Sequence, residues 1–173
     1  RKAAELIKDR HGIEYNLDNI PIEDPKAFEL LASGNVTGIF QVEGAGMRRI
    51  LKSMRPSQFE HIIAVLALYR PGPLQYIPNY IARMHGEEDV TYRHPMLETI
   101  LSETYGIIVY QEQIMRIATD LAGYTASEAD FMRKAVAKKK EKDLLAHKDR
   151  MISGGAEKGI DKNTIVDIFS DIE

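Results

Sequence analysis

The eight residues Ile62–Tyr69 (IIAVLALY) carry no charge and run straight into Arg70-Pro71-Gly72-Pro73. A helix built from such a stretch has no polar side to give to water, so it belongs in an interior. The prolines then forbid its continuation. Each lacks the N–H a helix needs, and each pushes the residue before it out of the helical region. The segment predicts a central, buried helix from Phe59 to Tyr69, opened by Ser57-Gln58-Phe59-Glu60 as a capping box and closed by a stiff loop. At 173 residues and 44% hydrophobic content, the chain can build a core around such a helix.

Similar punctuation organises the rest. Ala3, Leu6 and Ile7 have helical spacing that stops near His11-Gly12, and residues 13–23 read as an irregular connector. Asp24-Pro25 supplies an N-cap and a first-turn proline, Gly34 a stop, and Phe28, Leu30 and Leu31 the buried side chains between them. Gly44 and Gly46 bracket a helix Met47–Met54, and Pro78–Met84 reads as a short helix. The segment from Gly86 to Pro95 is polar and reads as exposed. Gln111–Ala122 is amphipathic and ends at Gly123, Thr125-Ala126-Ser127-Glu128 is a capping box, and Lys162–Ile172 forms a last helix. Val36–Val42 (VTGIFQV) and Tyr105–Tyr110 (YGIIVY) are β-branched and aromatic, which suits short strands. The expected fold is mainly α, a multi-helix domain with short strand pieces near 36–42 and 105–110.

Arg1 and Lys2 read as the middle of a helix, and Asp167–Glu173 breaks off within an apolar-periodic segment, so the chain is expected to be a piece of a longer polypeptide. It has no Cys, which excludes disulfides and thiol chemistry and fits a reducing cytoplasmic setting. No apolar run reaches the ~18 residues of a membrane span.

Charge is distributed unevenly. The net charge is −3, yet between Phe131 and Lys142 six cations face one anion on what reads as a single helix. Arg133, Lys134 and Lys138 share a side, with Ala135 and Val136 turned inward. Arg offers a fork and Lys a point charge, a suitable grip for phosphate oxygens, although a charged run is also compatible with a merely solvated face. Arg48, Lys52 and Arg55, with Arg49 adjacent, make a second basic row, open to the same two readings. Arg70 in its Pro-Gly-Pro frame is either an anion clamp held at low entropic cost or a cap for the carbonyls of the preceding helix. Catalytic acids and metal sites are not evident. Glu87-Glu88-Asp89 reads as a solvated loop, Asp18, Asp24 and Asp161 read as turn or cap residues, and the five His have no ligand spacing. Gly44-Ala45-Gly46 lacks the rest of a nucleotide fingerprint. The residues therefore point to anion binding without catalysis or metal binding of their own.

Four motifs occur in order: GIFQVEGAGMRRILKSMRP (38–56), IIAVLALYRPGPLQ (62–75), TYGIIVYQEQIMRIATDLAGYT (104–125) and DFMRKAVAKKK (130–140). Together they resemble the fingers region of bacterial DNA polymerase III alpha subunits, the C-family replicative polymerases, over about Ile22 to Lys158. The resemblance implies that residues 1–35 are a palm-proximal connector and 36–173 the fingers of an enzyme extending DNA 5′ to 3′. It implies Mg²⁺ on upstream palm aspartates absent from this sequence, so the segment alone would be inactive and would hold no cofactor. Arg133 and Lys134 match the family's basic pair, with Lys134 where a second Arg is expected, and Lys138 and Lys139 match the lysines after it. Arg133, Lys134, Lys138 and Arg70 would then face the triphosphate of an incoming dNTP. Arg48, Arg49, Lys52, Arg55 and Lys139 would be candidates for contact with primer-template DNA. The sliding clamp and exonuclease subunit would engage other regions, and no membrane is implied. A stand-alone nucleic-acid-binding module and a protein-interaction module are the alternatives. Salt-dependent DNA binding without a response to triphosphate would mark the first, and no binding of either would mark the second.

Overall fold

The structure, a computed structural model, describes residues 2–16 and 20–173. The turn read for Asp18 and the helical reading of Arg1 lie outside those residues. By compactness the chain divides into two units, Arg1–Ile62 and Ile63–Glu173.

In the first unit, α1 (Lys2–His11) buries nothing. Helix α2 (Pro25–Ser33) starts where Asp24 accepts the amide of Lys26 at 3.0 Å, and it ends at Gly34, whose φ of 72° favours glycine. The three side chains expected to be buried there are not: Leu30 is exposed, and Phe28 and Leu31 are half-buried. Helix α3 (Ala45–Met54) turns Met47, Leu51 and Met54 inward, at the four- and three-residue spacing of one helical face. Between α2 and α3, Val36 and Val42 are buried.

Helix α4 (Phe59–Leu68) crosses the division between the units. The expectation of an all-round buried helix holds on one side only. Ala64, Val65 and Leu68 are buried, Leu66 is half-buried, and Phe59 and Ile63 remain 44% and 43% exposed. Its capping box does not form among the described residues. The helix starts at Phe59, and the Ser57 amide donates instead to Nδ1 of His61 at 3.3 Å.

The second unit continues through α5 (Ile77–Met84), α6 (Glu98–Leu101), α7 (Gln111–Ala122), α8 (Ala126–Lys138), α9 (Glu141–Glu157) and α10 (Lys162–Ile172). Helix α7 packs on both α8 and α9, and α9 packs on α10. The core is built from their inner faces, with Ile117 and Leu121, Met132, Met151, Ile168 and Phe169 fully buried. The approach of α9 to α7 depends on Gly154, where a Cβ would lie 1.9 Å from the carbonyl oxygen of Ala122. Arg150 of α9 and Lys158, the residue just after it, donate to the last carbonyls of α7, Ala122 at 3.1 Å and Thr119 at 3.3 Å. They satisfy acceptors that the helix itself cannot, at the end of its dipole that favours cations. The segment before α6, expected to be exposed, is half-buried at Val90 and Tyr92, and Arg93 is paired with Asp167 and Asp171 of α10.

Among the described residues there is no strand, which corrects both expected strand pieces. Residues 36–42 form consecutive turns, with the Ile39 amide bonded to Val36 O at 3.1 Å and Val42 to Ile39 O at 3.3 Å. Gly38 and Gln41 have φ of 80° and 65°, which extended pairing does not permit. Residues 107–110 form no ladder, although Tyr110 has extended backbone, with φ of −108° and ψ of 147°. The amides of Val109 and Tyr110 donate to Oε1 of Gln113 at 2.8 and 2.9 Å, and Thr104 Oγ1 donates to Ile107 O at 2.6 Å. Side chains satisfy the backbone groups that a neighbouring strand would have taken. The residues suit a strand, but no partner strand is present.

Candidate functional site

Helix α8 is opened by the capping box expected from the sequence. Thr125 Oγ1 accepts the Glu128 amide at 3.3 Å, and Glu128 accepts the Thr125 amide at 2.7 Å. Ala129, Met132 and Ala135 are buried. This fixes the rotation of the helix and turns Asp130, Arg133 and Lys134 toward the other side.

These three side chains form one group. Asp130 Oδ1 accepts Nε of Arg133 at 3.0 Å and Nη2 at 2.7 Å, while its Oδ2 lies 2.6 Å from Nζ of Lys134. Nη1 of Arg133 donates to Gln111 Oε1 of α7 at 2.7 Å. Hydrogen bonding to Lys134 first, and to Arg133 second, holds the Asp130 carboxyl below its usual range and keeps it ionised. The Lys134 ammonium also lies 5.7 Å from the ring centre of Phe131. The two cations therefore have a local counter-ion. Asp130 sits three and four residues before them, the spacing at which helical side chains meet, and a count begun at Phe131 stops short of it. Gln111 was not legible from the sequence, since it lies 22 residues away on another helix.

The lysine run does not continue as one helix. Helix α8 ends at Lys138, Lys139 takes a left-handed φ of 47°, and α9 begins at Glu141. Lys138 and Lys139 are exposed, with no ion-pair or hydrogen-bonded side-chain partner among the described residues. Arg70 is likewise exposed. Its backbone is held on both sides, by its own amide to Leu68 O at 2.7 Å and by the Leu74 amide to its carbonyl at 3.1 Å. Gly72, with φ of 97°, makes the turn possible. The Arg70 side chain bonds none of the last carbonyls of α4 among the described residues, so it does not act as that helix's cap.

In the first unit the α3 row is more ordered than a solvated face. Arg48 Nη2 donates to Thr37 Oγ1 at 3.0 Å, while its Nε is buried and unpaired among the described residues. The stem of Lys52 crosses Gly34, where a Cβ would lie 2.5 Å from Cε. Arg49 and Arg55 are exposed, and Arg55 caps α3 with a left-handed φ of 48°.

The second unit also contains a cavity of about 480 Å³, lined by Tyr76, Asn79, Arg83, Tyr92 and Arg93 among others. Both of its arginines are already engaged, Arg83 with Glu88 at 2.8 Å and Arg93 with the α10 aspartates. Among the described residues no cluster of His, Cys, Asp or Glu could hold a metal ion, so the Mg²⁺ implied for the larger enzyme has no fitting site here. Nor is any helix among them long and apolar enough to cross a membrane.

The described residues thus bring together a basic face on α8, anchored by Asp130, with exposed lysines at its end. The family described as bacterial DNA polymerase III alpha subunit finger domain matches residues 1–159. The chain is 50% identical, over 98% of its length, to a DNA polymerase III subunit alpha of Aquifex aeolicus. It is 45% identical over 94% to one of Halalkalibacterium halodurans, and 42% identical over 99% to one of Thermus aquaticus. The chain belongs to the finger domain family of bacterial DNA polymerase III alpha subunits. It spans about 15% of the length of those relatives.

Proposed function

We propose that this chain is the segment of a replicative, DNA-directed DNA polymerase that positions the triphosphate of the incoming dNTP. The observation carrying the proposal is the Arg133 guanidinium, fixed by Asp130 and Gln111 on the surface of a finger domain. Arg133 supplies an oriented fork, Lys134 and Lys138 add point charges along the same helix, and Arg70 contributes from a rigid loop. Arg48, Arg49, Lys52, Arg55 and Lys139 contact the primer-template backbone. Residues 36–173 form the fingers proper and 1–35 the connector to the palm, in a protein of the cytoplasm that works with other replicase subunits. The chemistry rests on Mg²⁺ and carboxylates elsewhere in the polymerase, and this segment alone does not extend primers. Its contribution is positioning and charge stabilisation, which dominate phosphoryl transfer.

Each charge-assisted contact to phosphate is worth about 1.5–3 kcal/mol. Arg133→Ala in the full polymerase therefore lowers kcat/KM for dNTP roughly tenfold to a hundredfold, with primer-template Kd unchanged. Lys142→Ala, beyond the kink on α9, has a milder effect. Wild-type incorporation by Arg133→Ala refutes the assignment. An equal loss in DNA affinity shows instead that the helix grips nucleic acid.

A further inference from the structure

Asp130 lies between the two cations of the proposed nucleotide grip, and its two oxygens do different work. Oδ1 takes two N–H groups of Arg133, and Gln111 takes a third at 2.7 Å. Three of the five guanidinium N–H groups are thus committed, from two helices, and the guanidinium plane is fixed while two N–H groups remain to be offered. The Arg133 side chain is only 26% exposed. Oδ2 holds Lys134 through a single contact to an ammonium on a flexible stem, and that side chain is 51% exposed. A lone exposed pair of this kind is weakly held and readily exchanged for another anion.

We propose that Asp130 is a positioning residue for nucleotide incorporation: through Oδ1, and with Gln111, it sets the orientation of Arg133, and through Oδ2 it holds Lys134 until a phosphate replaces it. This rests on the reading of Arg133 as a triphosphate contact. It runs against simple charge counting. Beside a polyanion site a carboxylate should repel the ligand, and its removal should strengthen binding. Positioning predicts the opposite sign, because a misdirected guanidinium loses the in-place geometry that binding energy was used to secure.

The test uses the full polymerase with Asp130→Ala, Asp130→Asn, Gln111→Ala and Arg133→Ala, read as kcat and KM for dNTP with primer-template Kd as control. Ala and Asn remove the same charge, but Asn keeps an acceptor oxygen for Arg133. The expected result is a kcat/KM loss of about tenfold or more for Asp130→Ala, carried mainly by kcat, with Asp130→Asn recovering most of it. Gln111→Ala shows a smaller loss that disappears on the Arg133→Ala background, since Gln111 acts through that guanidinium. If Asp130→Ala and Asp130→Asn behave alike, or either lowers KM without loss of kcat, Asp130 only neutralises charge and the inference is overturned. If Arg133→Ala is itself silent, the nucleotide-grip reading fails as well, and the two failures are told apart by that variant.

Discussion

Gly154→Ala should destabilise the chain, although alanine is the better helix former. In the last turn of α9 the substitution gains at most roughly 1 kcal/mol in propensity. Against this, the new Cβ would lie 1.9 Å from Ala122 O and 2.7 Å from Ala122 C, where ordinary contact begins near 3.4 Å. Both atoms belong to the backbone at the end of α7, so no rotamer change relieves the overlap. The helices must separate by more than 1 Å along that line. Overpacking of this kind costs about 1–3 kcal/mol, and separation also removes the Arg150 bond to Ala122 O, worth ~1 kcal/mol more. With backbone on both sides the upper part of that range applies, and the net loss is about 2–3 kcal/mol. For a chain of this size that is a fall in Tm of roughly 5–10 °C, measured by thermal unfolding with circular dichroism. Gly155→Ala is the control. Its Cβ would meet Ile165 at 2.6 and 2.7 Å, but those atoms are side-chain carbons that can turn away, so its loss is smaller. An unchanged or raised Tm for Gly154→Ala would refute the close crossing of α9 over α7.

Tyr124 gives a pH signature: burial, the largest cause, pushes its phenol from an ordinary value near 10 up to about 12. Between those values the unfolded chain releases a proton that the folded chain retains. Stability from this residue is therefore complete below pH 10 and lost as pH rises toward 12, on the order of 2 kcal/mol. Denaturation midpoints of the wild type should show this alkaline decline, and Tyr124→Phe should lack its share, having already lost the O–H bond to His147 O at 2.9 Å. In α4, Leu68→Ala should cost about 2–5 kcal/mol and half-buried Leu66→Ala clearly less. Equal losses in urea unfolding would mean that α4 is buried on both sides.

The elements most legible in the sequence were those whose signals act within one or two turns. The Asp24 and Thr125 caps, the stops at Gly34 and Gly123 and the last helix, Lys162–Ile172, fall where the spacing put them. In each case the partners are a few residues apart, which local sequence specifies: the side chains of Asp24, Thr125 and Asp161 accept backbone amides, and the amides of Gly34 and Gly123 bond carbonyls of the helix they end. The strand readings at 36–42 and 105–110 failed because strand formation depends on a neighbour, and local composition says nothing of one. The even burial expected for Ile62–Tyr69 failed for a related reason. Hydrophobicity shows that a face can be buried, while the packing partners decide which faces are.

The candidate site divides in the same way. Sequence alone placed Arg133, Lys134 and Lys138 along one helix, because a period of 3.6 residues is a property of the chain. It contained Asp130 at the right distance as well. Only tertiary structure decided that Gln111, on α7, takes the third hydrogen bond of the guanidinium. Only tertiary structure bent the lysine run at Lys139 and closed α9 onto α7 through Gly154. Contacts between residues far apart in the chain depend on how helices cross, and crossing is fixed by the fit of whole surfaces rather than by the spacing of neighbours.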